Sequence, residues 1–276
     1  MSKAYADLWK TTSNAVYLLY GVTNSGRVIG GPDDKTTATN SHDIGQLCGT
    51  TFCVSPRGLF LTATHVLDKI RAAAQGHEVF FKLECHRPFF PSAPPLTARM
   101  VESYPANRQD IALLRADTEN ELPFIPVRTG PPLEEPGFSV AAFGYPLPTY
   151  HDVSRTVSAV LRMFTGIVSS IVDVSDSGSS EKKDAVPVYE MNTQCLRGMS
   201  GGPLVSLQHK DVVGVIRGGI DDIGIISGTE SSDKWLYAHP TNIMQATTVA
   251  QFPDFPLTIG ATLDKHGVAP SRPGRI

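Results

Sequence analysis

The sequence predicts an all-β protein, and three observations carry that expectation. Its 24 glycines and 21 prolines are scattered through 276 residues, as a chain of many turns requires. Short apolar runs such as Gly58-Leu59-Phe60-Leu61 and Val212-Val213-Gly214-Val215-Ile216 recur between polar, turn-forming stretches. Helical patterning is confined to a few short segments.

The elements follow in order. Residues 4–14 place Tyr5, Leu8 and Trp9 on one face of a short helix. Ala15-Val16-Tyr17-Leu18-Leu19-Tyr20 reads as the first strand, and 22–46, rich in Gly, Asp, Thr and Asn, as a loop. Strands are expected near 47–54 and 58–63, then a short helix over Val66–Ala73, then strands near 78–84, 97–103 and 111–115. The Pro-rich stretch 123–136 reads as a crossover. Strands near 138–143, 157–171, 187–193, 203–207, 212–218 and 234–238 form a second group. The polar stretch Asp173–Asp184 reads as a mobile loop, because it cannot bury enough apolar surface to offset its ordering. Thr241 can cap a terminal helix running to about Gln251. Beyond it, Pro253, Pro256, Pro270 and Pro273 mark an extended tail. The expected units are therefore 1–122, 123–250 and 251–276, with no internal repeats.

Three segments carry chemistry. In Gly198-Met199-Ser200-Gly201-Gly202-Pro203-Leu204 a serine sits among glycines that permit a tight, open turn. The N–H groups of Gly198 and Ser200 can converge on one spot, where a carbonyl oxygen turning negative would sit. In Leu61-Thr62-Ala63-Thr64-His65-Val66-Leu67 an apolar strand runs into small residues and then a histidine. In Asp110-Ile111-Ala112-Leu113-Leu114 an acid stands at the mouth of an apolar strand. Taken singly these could be a glycine-rich hairpin turn, a surface or satisfied core histidine and a turn-capping aspartate. Together they place His, Asp and Ser in that order, 45 and 90 residues apart. That is the order of a chymotrypsin-kind serine-protease triad, not of the subtilisin or α/β-hydrolase kinds.

The match extends beyond the triad. The segment from Gly49 through Ser55-Pro56-Arg57-Gly58 to Thr64-His65-Val66 resembles the strand pair that delivers the histidine in chymotrypsin-like serine peptidases. Its Pro-x-Gly hairpin is closest to the HtrA-type branch. Thr165-Gly166-Ile167-Val168-Ser169, Val212–Ile216 and Trp235-Leu236-Tyr237-Ala238-His239-Pro240-Thr241-Asn242 are similar to that branch as well. The resemblance spans roughly 12–250 and implies two antiparallel six-stranded β-barrels with short N- and C-terminal helices and the active site between the barrels. The peptide-binding domain that often follows such catalytic domains is not expected within these 276 residues.

The resemblance also assigns roles. His65 becomes the general base and later the acid for the leaving amine. Asp110 holds the imidazole tautomer, Ser200 is the nucleophile, and Gly198 and Ser200 form the oxyanion hole. Asp68 and Asp43 are competing acids, of which Asp68 could be a plain helix-start residue. Met199 stands where the family usually has Asp or Asn, so it cannot pair with a freed N-terminus, and assembly without N-terminal clipping is expected. Arg217 stands where a small residue is more usual; pairing with Asp110, substrate contact and a solvent-facing position all stay open. The specificity pocket is implied to have its floor at Gln194, its walls at Leu196-Arg197 and Ile216 to Gly219, including Gly218, and its depth set by Trp235. Trp235 could equally be a core aromatic, since a one-residue register slip turns it to the other face. A floor without Asp disfavours Lys or Arg and favours small or medium uncharged residues, with an arginine-contacted Glu, Gln or Asp as a weaker version.

Composition sets the outer limits. Hydrophobic residues make up 41% and charged residues 18%, the balance of an ordinary soluble globular protein. A net charge of −3 argues against a nucleic-acid or anionic-membrane partner. The first ten residues lack a signal-peptide core, and no run approaches the ~18 apolar residues of a membrane span. Cys48 and Cys53 lie five apart on one strand segment and face opposite sides. Extracellular members of the family often carry a cysteine directly after the histidine, where Val66 stands. Free thiols and the absent signal point to a reducing cytosol. With no Cys-x-x-Cys and eight dispersed histidines, neither metal nor other cofactor is expected. The expected activity is a cytoplasmic serine endopeptidase acting on a protein or peptide substrate. A regulatory partner protein and the oligomeric state stay open. Two rivals remain: an inactive protease-like binding domain, and an esterase on the same triad.

Overall fold

The computed structural model describes residues 3–29, 48–85, 94–104, 109–128, 136–146, 149–151, 156–174, 186–227, 234–248 and 265–268. The chain forms two closed six-stranded antiparallel barrels. The first comprises β1 (Val16–Thr23), β2 (Gly49–Ser55), β3 (Leu59–Thr62), β4 (Val79–Glu84), β5 (Leu96–Ser103) and β6 (Ala112–Ala116). Around its wall they run β1-β2-β3-β6-β5-β4. The second comprises β7 (Ser139–Gly144), β10 (Arg162–Val174), β11 (Val186–Met191), β12 (Pro203–Ser206), β13 (Val212–Ser227) and β14 (Lys234–Thr248). A small hairpin, β8 (Thr149–His151) and β9 (Thr156–Ser158), stands apart from it.

Burial patterns explain how the barrels meet. Strand β5 alternates exposed and covered positions, as an outer wall should. Strand β2 is buried at all seven positions, so both of its faces are covered. Strand β7 splits its side chains by parity. Val140 and Ala142 enter the core of the second barrel, whereas Ala141, Phe143 and, just past the strand's end, Tyr145 join the core of the first. Leu204 and Val205 on β12 divide the same way. The two barrels therefore share an apolar seam, and the site lies along it.

Two helices attend the first barrel. α1 (Lys3–Thr12) buries Leu8, and its Trp9 stacks on Phe143 with ring centroids 6.0 Å apart. A 3₁₀ turn (Ser13–Ala15) leads from it into β1. α2 (Thr64–Ala73) buries Val66, Leu67 and Ile70, a spacing that packs one stripe against the barrel. The crossover is tied to the second barrel where Val127 bridges Val212 and Arg128 grips Asp211 at 3.1 Å.

Some expected elements are corrected. The helix expected over 241–251 is strand as far as Thr248, and 249–251 lie outside the described residues. Met244–Thr247 pair with β11 on one side and with β13 on the other, which closes the barrel. The apolar face is short and alternating, with Met244 and Ala246 buried, and tertiary pairing overrides the Thr241 cap signal. The strand expected over 157–171 divides into β9 and β10. The expected loop over Asp173–Asp184 and most of the tail lie outside the described residues, although Val268 packs into the core of the first barrel.

Candidate active site

The histidine is delivered by the start of α2. That helix begins after Ala63, whose extended backbone (φ −84°, ψ 137°) ends β3 and whose side chain offers no cap. Its first N–H groups need acceptors from elsewhere. Asp110 supplies them. Its backbone carbonyl accepts from Thr64 N–H at 3.3 Å, and its Oδ1 accepts from His65 N–H at 2.9 Å. Its Oδ2 lies 2.7 Å from His65 Nδ1. A negative group at a helix N-terminus is favourable in its own right. One carboxylate thus caps the helix and fixes the ring: with Nδ1 donating to Asp110, Nε2 keeps its lone pair.

Asp110 reaches this position through an unusual backbone. It has φ 52°, the left-handed region that Asp tolerates better than most residues. Tyr104 braces the turn, donating its N–H to Ile111 O at 2.8 Å and accepting Thr64 Oγ1 on its carbonyl at 2.6 Å. Asp110 is buried, and Arg217 Nε stands 3.8 Å from its Oδ2. Of the three positions open for Arg217, the structure adopts the pairing with Asp110.

The serine loop is built by glycines in tight quarters. Met199 N–H donates to Leu196 O at 3.1 Å, and Gly198, the third residue of that turn, has φ 93°. A type II turn demands this conformation there. Gly201, with φ 85°, sits where a Cβ would strike Thr50 O and Thr62 Oγ1. The loop is thereby pressed onto the first barrel. Ser200 O accepts from Thr50 N–H at 2.8 Å, and Gly198 O accepts from Thr50 Oγ1 at 2.7 Å. Thr50 Oγ1 in turn accepts from Tyr145 N–H at 3.0 Å. Thr50 and Tyr145 were not singled out in the sequence. Their bonds join residues 148 and 95 positions apart, a relation that no local pattern displays.

His65 and Ser200 line one cavity of about 210 Å³. The first barrel contributes Cys48, Val66 and Lys69 to it besides His65. The second adds Arg197 and Gly198. Ser200 Oγ donates to the carbonyl of Arg217 at 3.0 Å, not to the imidazole. Among the described residues, neither Gly198 N–H nor Ser200 N–H donates to a backbone acceptor. Burial pushes the Cys48 thiol up to about 12, so it stays protonated near neutral pH. All four cysteines are free. Among the described residues no cluster of ligating side chains could hold a metal ion.

The other expected site residues are placed as follows. Gln194 is exposed. Cys195, one residue on, is what faces Gly219: a Cβ there would lie 3.2 Å from Cys195 Cβ. Space beside Gly218 is open. Trp235, on β14, pairs with Ile226 on β13, but its side chain lies outside the described residues. Met199 is fully buried in the second core, with its side chain against Gly144. Of the competing acids, Asp68 is exposed and Asp43 lies outside the described residues.

Comparison with known proteins places this arrangement in a class. Residues 49–215 match the model of the trypsin-like peptidase domain, and the chain belongs to that family. Among solved structures, the crystal structure of Deg5 superposes with a TM-score of 0.53 at 18% identity, over 79% of this chain and 87% of that one. That likeness concerns the fold alone, a chymotrypsin-like double barrel. A search of curated protein sequences found no match.

Proposed function

We propose that the protein is a serine endopeptidase that uses Ser200, His65 and Asp110 through an acyl-enzyme. One observation carries this reading: Asp110 bonds His65 Nδ1 while His65 and Ser200 face the same cavity. A serine hydroxyl is a weak nucleophile until a base takes its proton during attack. His65 Nε2 takes that proton, and the Ser200 oxygen adds to the scissile carbonyl. The carbonyl oxygen becomes an oxyanion held by the Gly198 and Ser200 N–H groups. The intermediate collapses, the C–N bond breaks, and the imidazolium gives its proton to the leaving amine. Water then repeats the sequence to free the acid.

The resting hydroxyl donates to Arg217 O, so it must swing away from that carbonyl before its proton can face His65. Arg217 and Asp110 form the back of the site, with the arginine charge balancing the carboxylate behind the imidazole. The acyl part of the substrate lies toward β13, where Gly218, Gly219 and Cys195 offer small neutral surfaces. Cleavage after small or medium uncharged residues follows from that lining. The Arg217 Nε is directed at Asp110, which weighs against an acidic residue there.

Met199, packed as a neutral core residue, removes the need for an ion pair with a released terminus, so activity without processing is part of the reading. Four free thiols suit a reducing compartment such as the cytoplasm, where limited proteolysis of a chosen protein is the fitting use. Digestion of a peptide library tests the activity. Internal cuts made by the wild type and absent with Ser200→Ala support it; identical products from both proteins refute it.

A further inference from the structure

The cavity at the site reaches beyond the atoms that the reaction needs. On α2, Lys69 follows His65 by four residues and so shares its helix face. Both line the cavity. Across from them, Arg197 occupies the turn just before Gly198 and lines the same cavity from the second barrel. Its other described walls are the apolar Val66, the protonated thiol of Cys48, Gly198 and Ser200. Among the described residues no carboxylate lines it. Among the described residues, neither Lys69 nor Arg197 has an ion-pair partner, and the nearest acid in sequence, Asp68, is exposed outside the lining.

The chemistry fixes which part of a substrate enters this space. His65 must hand its proton to the leaving nitrogen, so the residue after the scissile bond starts beside its imidazole. The residues of β13 that face the acyl side, from Arg217 to Gly219, contribute nothing to the cavity. The leaving side of the substrate is what remains to fill it.

We infer that Lys69 and Arg197 form a two-cation subsite that selects an acidic side chain immediately after the scissile bond. This rests on the protease reading above. The guanidinium and the ammonium come from different barrels, so a carboxylate between them also spans the seam on which the site is assembled. About 210 Å³ is room for one such side chain. Both cations are exposed, so each contact is modest and sensitive to salt.

The test uses quenched fluorescent peptides, amidated at the C-terminus and identical except for Glu, Gln or Lys after the cleaved bond. The wild type should cleave the Glu peptide about tenfold more efficiently than the Lys peptide at low ionic strength, with Gln between. The preference should shrink toward unity near 1 M salt, where the screening length is about 3 Å. Lys69→Glu with Arg197→Glu should invert the order. Equal cleavage of the three peptides, or an unchanged order in the double variant, overturns the inference while leaving the protease reading intact. Cleavage of none of them overturns that reading and the inference with it. A further peptide, carrying a free C-terminal carboxylate on a single leaving residue, separates side chain from chain end. A gain confined to that peptide assigns the cations to substrate termini and overturns the inference as well.

Discussion

At the scale of single residues, Asp110 concentrates the account. Its carboxylate satisfies the uncapped start of α2 and the imidazole together. The two tasks can be separated by substitution. Asp110→Asn keeps an oxygen for the His65 N–H but favours the wrong imidazole tautomer, so turnover should fall on the order of 10⁴-fold with little loss of stability. Asp110→Ala should lose turnover similarly and also lower stability by about 0.5–2 kcal/mol, the usual cost of a lost helix cap. Thermal unfolding of the two variants beside the wild type checks this, and equal midpoints for both variants would remove the capping role. The sequence shows Asp110 as an acid at a strand mouth. It does not show the left-handed backbone or the pairing with Arg217, because both depend on where α2 and β13 come to rest.

At the scale of elements, the Ser200 loop is held less by its own turn than by β2. Thr50 bonds the carbonyl of Gly198, the N–H of Tyr145 and, through its own N–H, the carbonyl of Ser200. Thr50→Val keeps the shape and the backbone bond but strands a buried carbonyl and a buried N–H. Stability should drop by about 1–3 kcal/mol. Turnover of the folded protein should fall more than substrate affinity, because the Gly198 peptide then loses its fixed orientation. A variant with wild-type kcat would show that the glycines alone set the loop.

The same scale shows why some elements were legible and others not. Short, almost wholly buried strands bounded by turn residues, such as β7 and β12, lie within two residues of their expected positions. From sequence, the segment over 241–251 reads as helix because the Thr241 cap signal is local, whereas 241–248 are strand. What makes it a strand is pairing with β11 and β13, whose partner residues lie up to 59 positions away. The glycine, histidine and aspartate motifs were legible because each breaks the pattern of its strand. Thr50 breaks nothing, so it stayed hidden.

At the scale of the whole molecule, the site is a product of the seam. His65 and Asp110 belong to the first barrel and Ser200 to the second, while β2 and β7 carry the contacts that register one barrel against the other. Met199 anchors the Ser200 loop in the second core without a charge, so on the proposed reading the loop needs no ion pair with a released terminus. The most direct measurement is covalent labelling of the intact, unprocessed protein with a fluorophosphonate, read by mass spectrometry. A single adduct mapped to Ser200, lost in folded Ser200→Ala and nearly lost in folded His65→Ala, is the predicted result. A folded protein that takes no adduct, or an adduct at Ser200 that forms as fast in His65→Ala, would contradict the account.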